Sequence, residues 1–302
     1  TETAQALEEA TGTPSQETKK VVFIGRALTD PFCAWFAEEF TKQTQENYPN
    51  YETSILDMEE NAETARKLLE NCVTQKVDAI IMTVLSGANL EDLLLEIQEK
   101  GIAVVYVGGT PDTEGVCASA ICRDYDMGYM LAQKAAEDLP ENAEIVIFNG
   151  QWGLQLAHYR RDGFEDGLVK ARPDVKVLEE MDCEWLKDKA MATMEDWLQK
   201  HPNVCGVIAA NDGMTLGAIE AFKGANKDLS QCYFYGIDGM QDACASIKAG
   251  ELTASVLQDA EGMMKKGLEM INDMFNGKEV TREPQYVESI LITKDNVDQF
   301  ID

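Results

Sequence analysis

Short apolar runs that read as β-strands take turns with amphipathic helical stretches along nearly the whole chain, and this alternation limits its fold more than any other feature. The strand-like runs cover 20–25, 51–57, 79–84, 102–107 and an edge-like piece at 116–121. After a Pro140-Glu-Asn linker they resume at 144–149, 175–181, 204–210, 231–237, 252–257 and 285–292. Helical patterns fill 31–48, 62–75, 89–100, 155–170, 186–200, 214–222, 241–249 and 260–276, with a short one at 294–300. Such alternation demands parallel sheets covered by helices on both faces. Two series in one chain predict two doubly wound α/β lobes. Open parallel sheets bind ligands beyond the carboxyl ends of their strands. Polar residues stand at those ends here: Asp30, Asp124, the pair Asn211-Asp212, Asp238 and Gln258. Asp212 reads as a helix cap rather than a base. A cleft between the lobes, lined from several strands, is the expected site.

Composition removes several function classes. At roughly 150 residues per domain, 302 residues fit two domains. The 26 basic and 54 acidic residues leave a formal charge of −28, which repels phosphate backbones and argues against a nucleic-acid partner. The longest apolar runs are too short to cross a bilayer. Eight cysteines lie without CxxC spacing, so neither a zinc site nor a disulfide framework is expected. Cys205 and Cys232 read as small buried thiols within strands. Cys117 and Cys122 stand an odd number of residues apart and should face opposite sides of one strand. Residues 1–19 read as a polar tether, too short and too acidic for a DNA-binding helix-turn-helix.

Catalytic templates fail. The first strand-to-helix turn, Gly25-Arg-Ala-Leu-Thr-Asp30-Pro31, lacks the glycine spacing that cradles a pyrophosphate. The only histidines are His201, beside Pro202 at a helix end, and His158, a surface or structural histidine on a helix near the cleft. Neither a cofactor nor a metal is expected, and the chain does not read as an enzyme. Binding chemistry fits better. A sugar ring has apolar C–H faces, which aromatic rings can cover, and a rim of hydroxyls for carboxylates, amides and guanidinium. Phe32 and Trp185 could cover the faces, although Phe32 could equally be ordinary core.

At this point the motifs resemble a known family. They run in order: Asp30-Pro31-Phe32; Arg160 in Ala-His-Tyr-Arg-Arg-Asp-Gly-Phe; Trp185 in Asp-Cys-Glu-Trp; Ala-Asn211-Asp212-Gly-Met; Tyr-Gly-Ile-Asp238-Gly; and Val-Leu-Gln258-Asp. The chain is similar, from about Lys20 onward, to the type I periplasmic binding proteins of bacterial ABC sugar importers. Its nearest likeness is to the galactose/glucose- and ribose-binding branch, which its tail also resembles. The resemblance implies two lobes joined by a three-strand hinge, with crossings near Asp124, Gln258 and Ile290. The lobes would comprise 20–124 with 259–289, and 125–258 with 290–302. It implies a monomer, outside the cytoplasm in a periplasm or as a cell-surface lipoprotein, which captures a small sugar-like ligand for an ABC permease. A sensor module feeding a chemoreceptor or histidine kinase stays open as the alternative. Phe32 and Trp185 would sandwich a ring, with Asp30, Arg160, Asn211, Asp238 and Gln258 bonding its hydroxyls. Two departures leave the ligand open among hexose, pentose, polyol and nucleoside. Gly108-Gly109 replaces a polar pair and predicts a roomier pocket on one lobe. Leu154 and Leu156, beside Gln151 and Trp152, predict a more apolar pocket on the other. The calcium loop of the galactose-binding branch is not expected at 137–144.

Overall fold

The computed structural model describes residues 17–301 except 86, 112 and 114. Most of the expected tether therefore lies outside the described residues, and Lys19 already opens the first strand. The first half runs β1 (Lys19–Gly25), α1 (Pro31–Asn47), β2 (Tyr51–Asp57), α2 (Ala62–Thr74), β3 (Ala79–Met82), α3 (Glu91–Glu99), β4 (Ala103–Val107), β5 (Ala118–Ile121) and α4 (Asp124–Asp138). It continues with β6 (Glu144–Asn149), α5 (Gln155–Phe164), β7 (Lys176–Asp182), α6 (Lys187–Lys200), β8 (Gly206–Ala209), α7 (Asp212–Gly224), β9 (Tyr233–Asp238), α8 (Gln241–Ala249) and β10 (Ala254–Leu257). Last come α9 (Ala260–Phe275), β11 (Gln285–Tyr286) and β12 (Ile290–Thr293).

The strands form two six-stranded sheets, ordered β11-β5-β4-β3-β1-β2 and β12-β10-β9-β8-β6-β7. β1 shows why its run is continuously apolar. Val21 and Phe23 enter one core cluster while Val22 and Ile24 enter another, because successive side chains point to opposite helix-covered faces. Cys117 and Cys122 divide between the same two clusters, although they flank β5 instead of lying within it as the sequence reading had them. All eight cysteines are free. Cys205 and Cys232 are only half-buried and precede their strands instead of lying within them, a correction to the sequence reading.

The chain passes between the sheets three times: from β5 into α4, from β10 into α9, and from β11 to β12. Helix α4 packs on α5, β9 and β10 of the second sheet, whereas α9 packs on α1, β4 and β5 of the first. Three features depart from the sequence reading. The run 285–292 is broken, with β11 parallel in the first sheet and β12 antiparallel to β10 in the second. Helix α4 was not anticipated, because Asp124, Asp126 and Gly128 in its first turns look like loop. Acidic residues there in fact suit a helix N-terminus. The pattern over 155–170 is not one helix either: α5 ends at Phe164 and a π-helical turn, Glu165–Val169, follows. Gly128 and Gly163 explain how closely α4 and α5 approach. A Cβ on Gly128 would lie 2.3 Å from the Arg160 carbonyl oxygen, and one on Gly163 2.5 Å from the Tyr129 nitrogen.

Candidate functional site

Between the facing strand ends lies a cavity with about 540 Å³ of empty space, open at its mouth. Its walls come from both lobes. Asp30, Phe32, Arg160, Trp185, Asn211, Asp238 and Gln258, all expected from sequence, line it.

On the first lobe, the turn after β1 is tied together locally. Asp30 caps α1, its Oδ1 accepting from the Phe32 and Cys33 nitrogens at 2.8 and 3.3 Å. Its Oδ2 accepts from Arg26 Nη2, while Arg26 Nη1 donates to Glu60 Oε1 at 2.8 Å. The Arg26 backbone nitrogen donates to Thr83 Oγ1 at 2.7 Å, which binds this turn to the end of β3. Pro31 at the helix start suits this position, since its missing N–H has no partner to lose. Phe32 meets Trp35 and Phe36 edge-on, with ring centres 6.0 and 5.1 Å apart. The two glycines do not make the pocket roomier here, contrary to expectation. A Cβ on Gly108 would lie 2.7 Å from the Phe36 ring, and one on Gly109 2.7 Å from Val84 Cγ1. Phe36 and Val84 fill the space the glycines leave.

On the second lobe the groups come from distant segments. Arg160, 2% exposed, donates from Nε to Asp124 Oδ1 at 2.9 Å, from Nη1 to the Ala210 carbonyl at 2.6 Å and from Nη2 to Gln258 Oε1 at 2.7 Å. Its Nη1 stands 3.7 Å from Asp238 Oδ1, an ion pair rather than a good hydrogen bond. The guanidinium carbon lies 5.4 Å from the Trp185 ring centre, within cation–π range. Trp185 follows Glu184 in left-handed backbone, at φ 66° and 55°. Such strain persists only where the surroundings enforce it. Asn211 helps to enforce it: its Nδ2 donates to the Trp185 carbonyl at 3.2 Å, while its Oδ1 caps α7 through the Met214 nitrogen at 2.9 Å. The indole leaves no room for a side chain at position 150, where a Cβ would fall 2.0 Å from the ring.

Asp238, 5% exposed, ends β9 with φ 133°, and Gly239 follows at φ 73°. Its side chain does not cap α8. Asp212 lies beneath this turn and holds it. Asp212 Oδ2 accepts from the Gly239 and Met240 nitrogens at 2.8 and 3.0 Å, and Oδ1 accepts from Ser255 Oγ at 2.6 Å. So Asp212 secures the neighbouring strand-end turn instead of capping its own helix, which corrects the sequence reading. The same contact explains the glycine in Tyr-Gly-Ile-Asp: a Cβ on Gly236 would lie 2.3 Å from Asp212 Oδ1.

Two carboxyls, Asp124 and Asp238, flank the Arg160 guanidinium, and Asp212 lies beneath the Asp238 turn. Burial pushes Asp238 well above the usual carboxylate range, against the pull of Arg160 and with the further push of Asp212 and Asp30. Burial also lifts Asp212 to about 6, opposed by its Ser255, Met240 and Gly239 donors. Asp124 is raised by burial and lowered by Arg160.

Sequence reading missed Arg26, Phe36 and Thr83, which also line the cavity. Spacing could have found two of them. Arg26 stands four residues before Asp30, and Phe36 four after Phe32 on one helix face. Thr83, at the end of β3, carried no such signal. His158 lies outside the cavity, its Nε2 bonded to the Trp152 carbonyl at 2.9 Å. His201 pairs with Glu179 at 2.9 Å, half-buried and apart from the cavity lining. Among the described residues no cluster of metal-ligating side chains occurs, and no helix is long and apolar enough to cross a membrane.

Comparison with known proteins gives a consistent picture. Residues 21–279 match the periplasmic binding protein domain family. The xylitol-binding protein of Mycolicibacterium smegmatis is 31% identical over 240 residues, spanning 79% of this chain and 68% of that protein. The ribose import binding protein of Bacillus subtilis is 27% identical over 267 residues, spanning 87% and 85%. Among solved structures, an ABC transporter solute-binding protein from Bacillus halodurans with bound myo-inositol superposes with a TM-score of 0.86 at 24% identity, covering 95% of this chain and 99% of that one. One from Actinobacillus succinogenes with bound D-allose gives 0.87 at 20% identity, covering 93% and 100%.

Proposed function

We propose, from the premise that this chain belongs to the periplasmic-binding-protein family, that its interlobe cavity captures a small sugar-like ligand by a hydroxylated ring or polyol chain and delivers it to an ABC importer. The observation that carries this reading is the composition of the cavity. Two aromatic residues, Phe32 and Trp185, stand on different lobes, and a carboxyl, a guanidinium and amides line the same cavity. That is the chemistry of a flat apolar face bounded by hydroxyls. Relatives named for xylitol and ribose, and solved folds holding myo-inositol and D-allose, support a polyol, pentose, cyclitol or hexose.

In this reading Asp238 accepts from ligand hydroxyls, and Arg160, Asn211 and Gln258 read the rest of the rim. Asp30 contributes from the first lobe. The lobes, 20–124 with 259–289 and 125–258 with 290–302, close about the three crossings. Ligand contacts from both lobes favour the closed state. The family works outside the cytoplasmic membrane. Fractionation of the source cells separates a periplasmic protein from a surface lipoprotein. The ligand is held unchanged, so a bound sugar should be recovered intact after prolonged incubation.

A thermal-shift screen over pentoses, hexoses, cyclitols, pentitols and nucleosides tests the reading, since a ligand specific for the folded state raises the melting temperature. At least one polyhydroxylated compound should do so. Trp185→Ala should weaken it by at least about 2 kcal/mol, roughly thirtyfold, as expected for a central aromatic anchor. If no such compound shifts the melt, or Trp185→Ala binds as well as wild type, the reading is wrong.

A further inference from the structure

A groove with about 1710 Å³ of empty space runs beside the cavity and shares a wall with it. The shared side chains are Val84, Leu154 and Leu156, all aliphatic, so the partition offers apolar contact and no side-chain hydrogen bond. Four of the large apolar side chains exposed on the described surface gather here. Tyr125 and Trp152 are each 37% exposed, Tyr286 46% and Tyr159 48%, and all line this groove. Single exposed apolar residues are ordinary, but a cluster of aromatics around one concavity marks a binding surface. Two of the rings are fixed in place. Trp152 lies 4.7 Å from the His158 ring, and that histidine bonds the Trp152 carbonyl. Arg123 covers the Tyr286 ring at 3.6 Å. Both lobes contribute, Val84 and Gly109 from one, Trp152 and Leu154 from the other, with Arg123 and Tyr286 at the crossings.

Resting on the reading above, we propose that the ligand is a glycoside. Its first ring occupies the cavity, its bridging atom passes the Val84–Leu154–Leu156 partition, and its second ring lies against Trp152 in the groove. The shared wall sets the two spaces side by side, which favours one ligand reaching across it over two separate ones. A ring in the groove touches both lobes and adds its contacts to the closed form. The departures at Leu154 and Leu156 then have a purpose, because polar groups there would hold a rim hydroxyl where an apolar bridge must pass.

Calorimetry on the full chain tests this with free monosaccharides and cyclitols, their phenyl glycosides, and disaccharides that carry the same first ring. Compounds with a second ring should bind about tenfold tighter than the parent ring, the scale of one aromatic contact. The phenyl and disaccharide arms tell which kind of second ring the groove takes. Trp152→Ala, outside the cavity, should cut binding of the two-ring compound about tenfold and leave the parent ring within twofold, with an unchanged melting temperature in the absence of ligand. Equal affinity of wild type for both classes, or parent-ring binding alone, overturns the glycoside and leaves the cavity reading intact. Binding of neither class overturns both.

Discussion

The two halves of the cavity are built in opposite ways. On the first lobe, Asp30 caps the helix that begins at the next residue and pairs with Arg26 four residues earlier, so one turn satisfies its own polar groups. On the second, Arg160 joins Asp124, Ala210, Asp238 and Gln258, residues from α4, α7's approach, β9 and the end of β10. The second half also holds Glu184, Trp185 and Asp238 in positive-φ backbone. The first half is therefore cheap to form and tolerant, while the second is preorganised by burial and costly to disturb. A ligand should find most of its orientation on the second lobe before the first closes over it.

The largest test removes the centre of the second half. Arg160→Met leaves Asp124 and Asp238 buried without their cation, and should cost about 3–5 kcal/mol of stability and abolish ligand binding. Urea unfolding and calorimetry read both. A loss below about 1 kcal/mol would mean that the halves do not differ as described.

A middle-sized effect sharpens the role of Asp212. Its carboxyl is raised to about 6 by burial, so the folded chain keeps a proton that the unfolded chain, at about 4, has already released. Stability from this group is therefore present at low pH and falls as pH rises from about 4 to about 6. Asp212→Asn removes the titration. Between about pH 4.5 and pH 6.5, wild type should lose roughly 2 kcal/mol more than the variant. Parallel stability profiles for the two proteins would show that Asp212 titrates as an ordinary carboxylate.

The smallest effect belongs to the first half. Asp30→Asn keeps the helix cap and loses only the partly exposed pair with Arg26, so stability should change by less than about 1 kcal/mol. Ligand affinity should fall less than tenfold. A loss as large as that of Arg160→Met would erase the distinction between the lobes.

Much of this was readable beforehand because it is local. Period and alternation placed the strands, and Asp30, Asn211, Asp238 and Gln258 were found because strand ends are where parallel sheets present ligand groups. Arg160 and Trp185 came from motif order. Other features were invisible because their cause lies far away in sequence. Helix α4 looks like loop until Gly128 is seen pressed on the Arg160 backbone. The single run at 285–292 became two strands because each half pairs with a different sheet.

By itself, the sequence determined the α/β class, the two lobes and, with the order of its motifs, seven residues that line the cavity, since periodicity, strand-end chemistry and short motifs depend on near neighbours. Only the tertiary structure decided what those residues are free to do. It turned the Gly108-Gly109 gap into space filled by Phe36 and Val84, made Asp212 the support of its neighbour's turn, and set an aromatic groove beside the cavity. Each of these depends on what packs across tens of residues, and volume, burial and hydrogen-bond partners exist only once the chain has closed on itself.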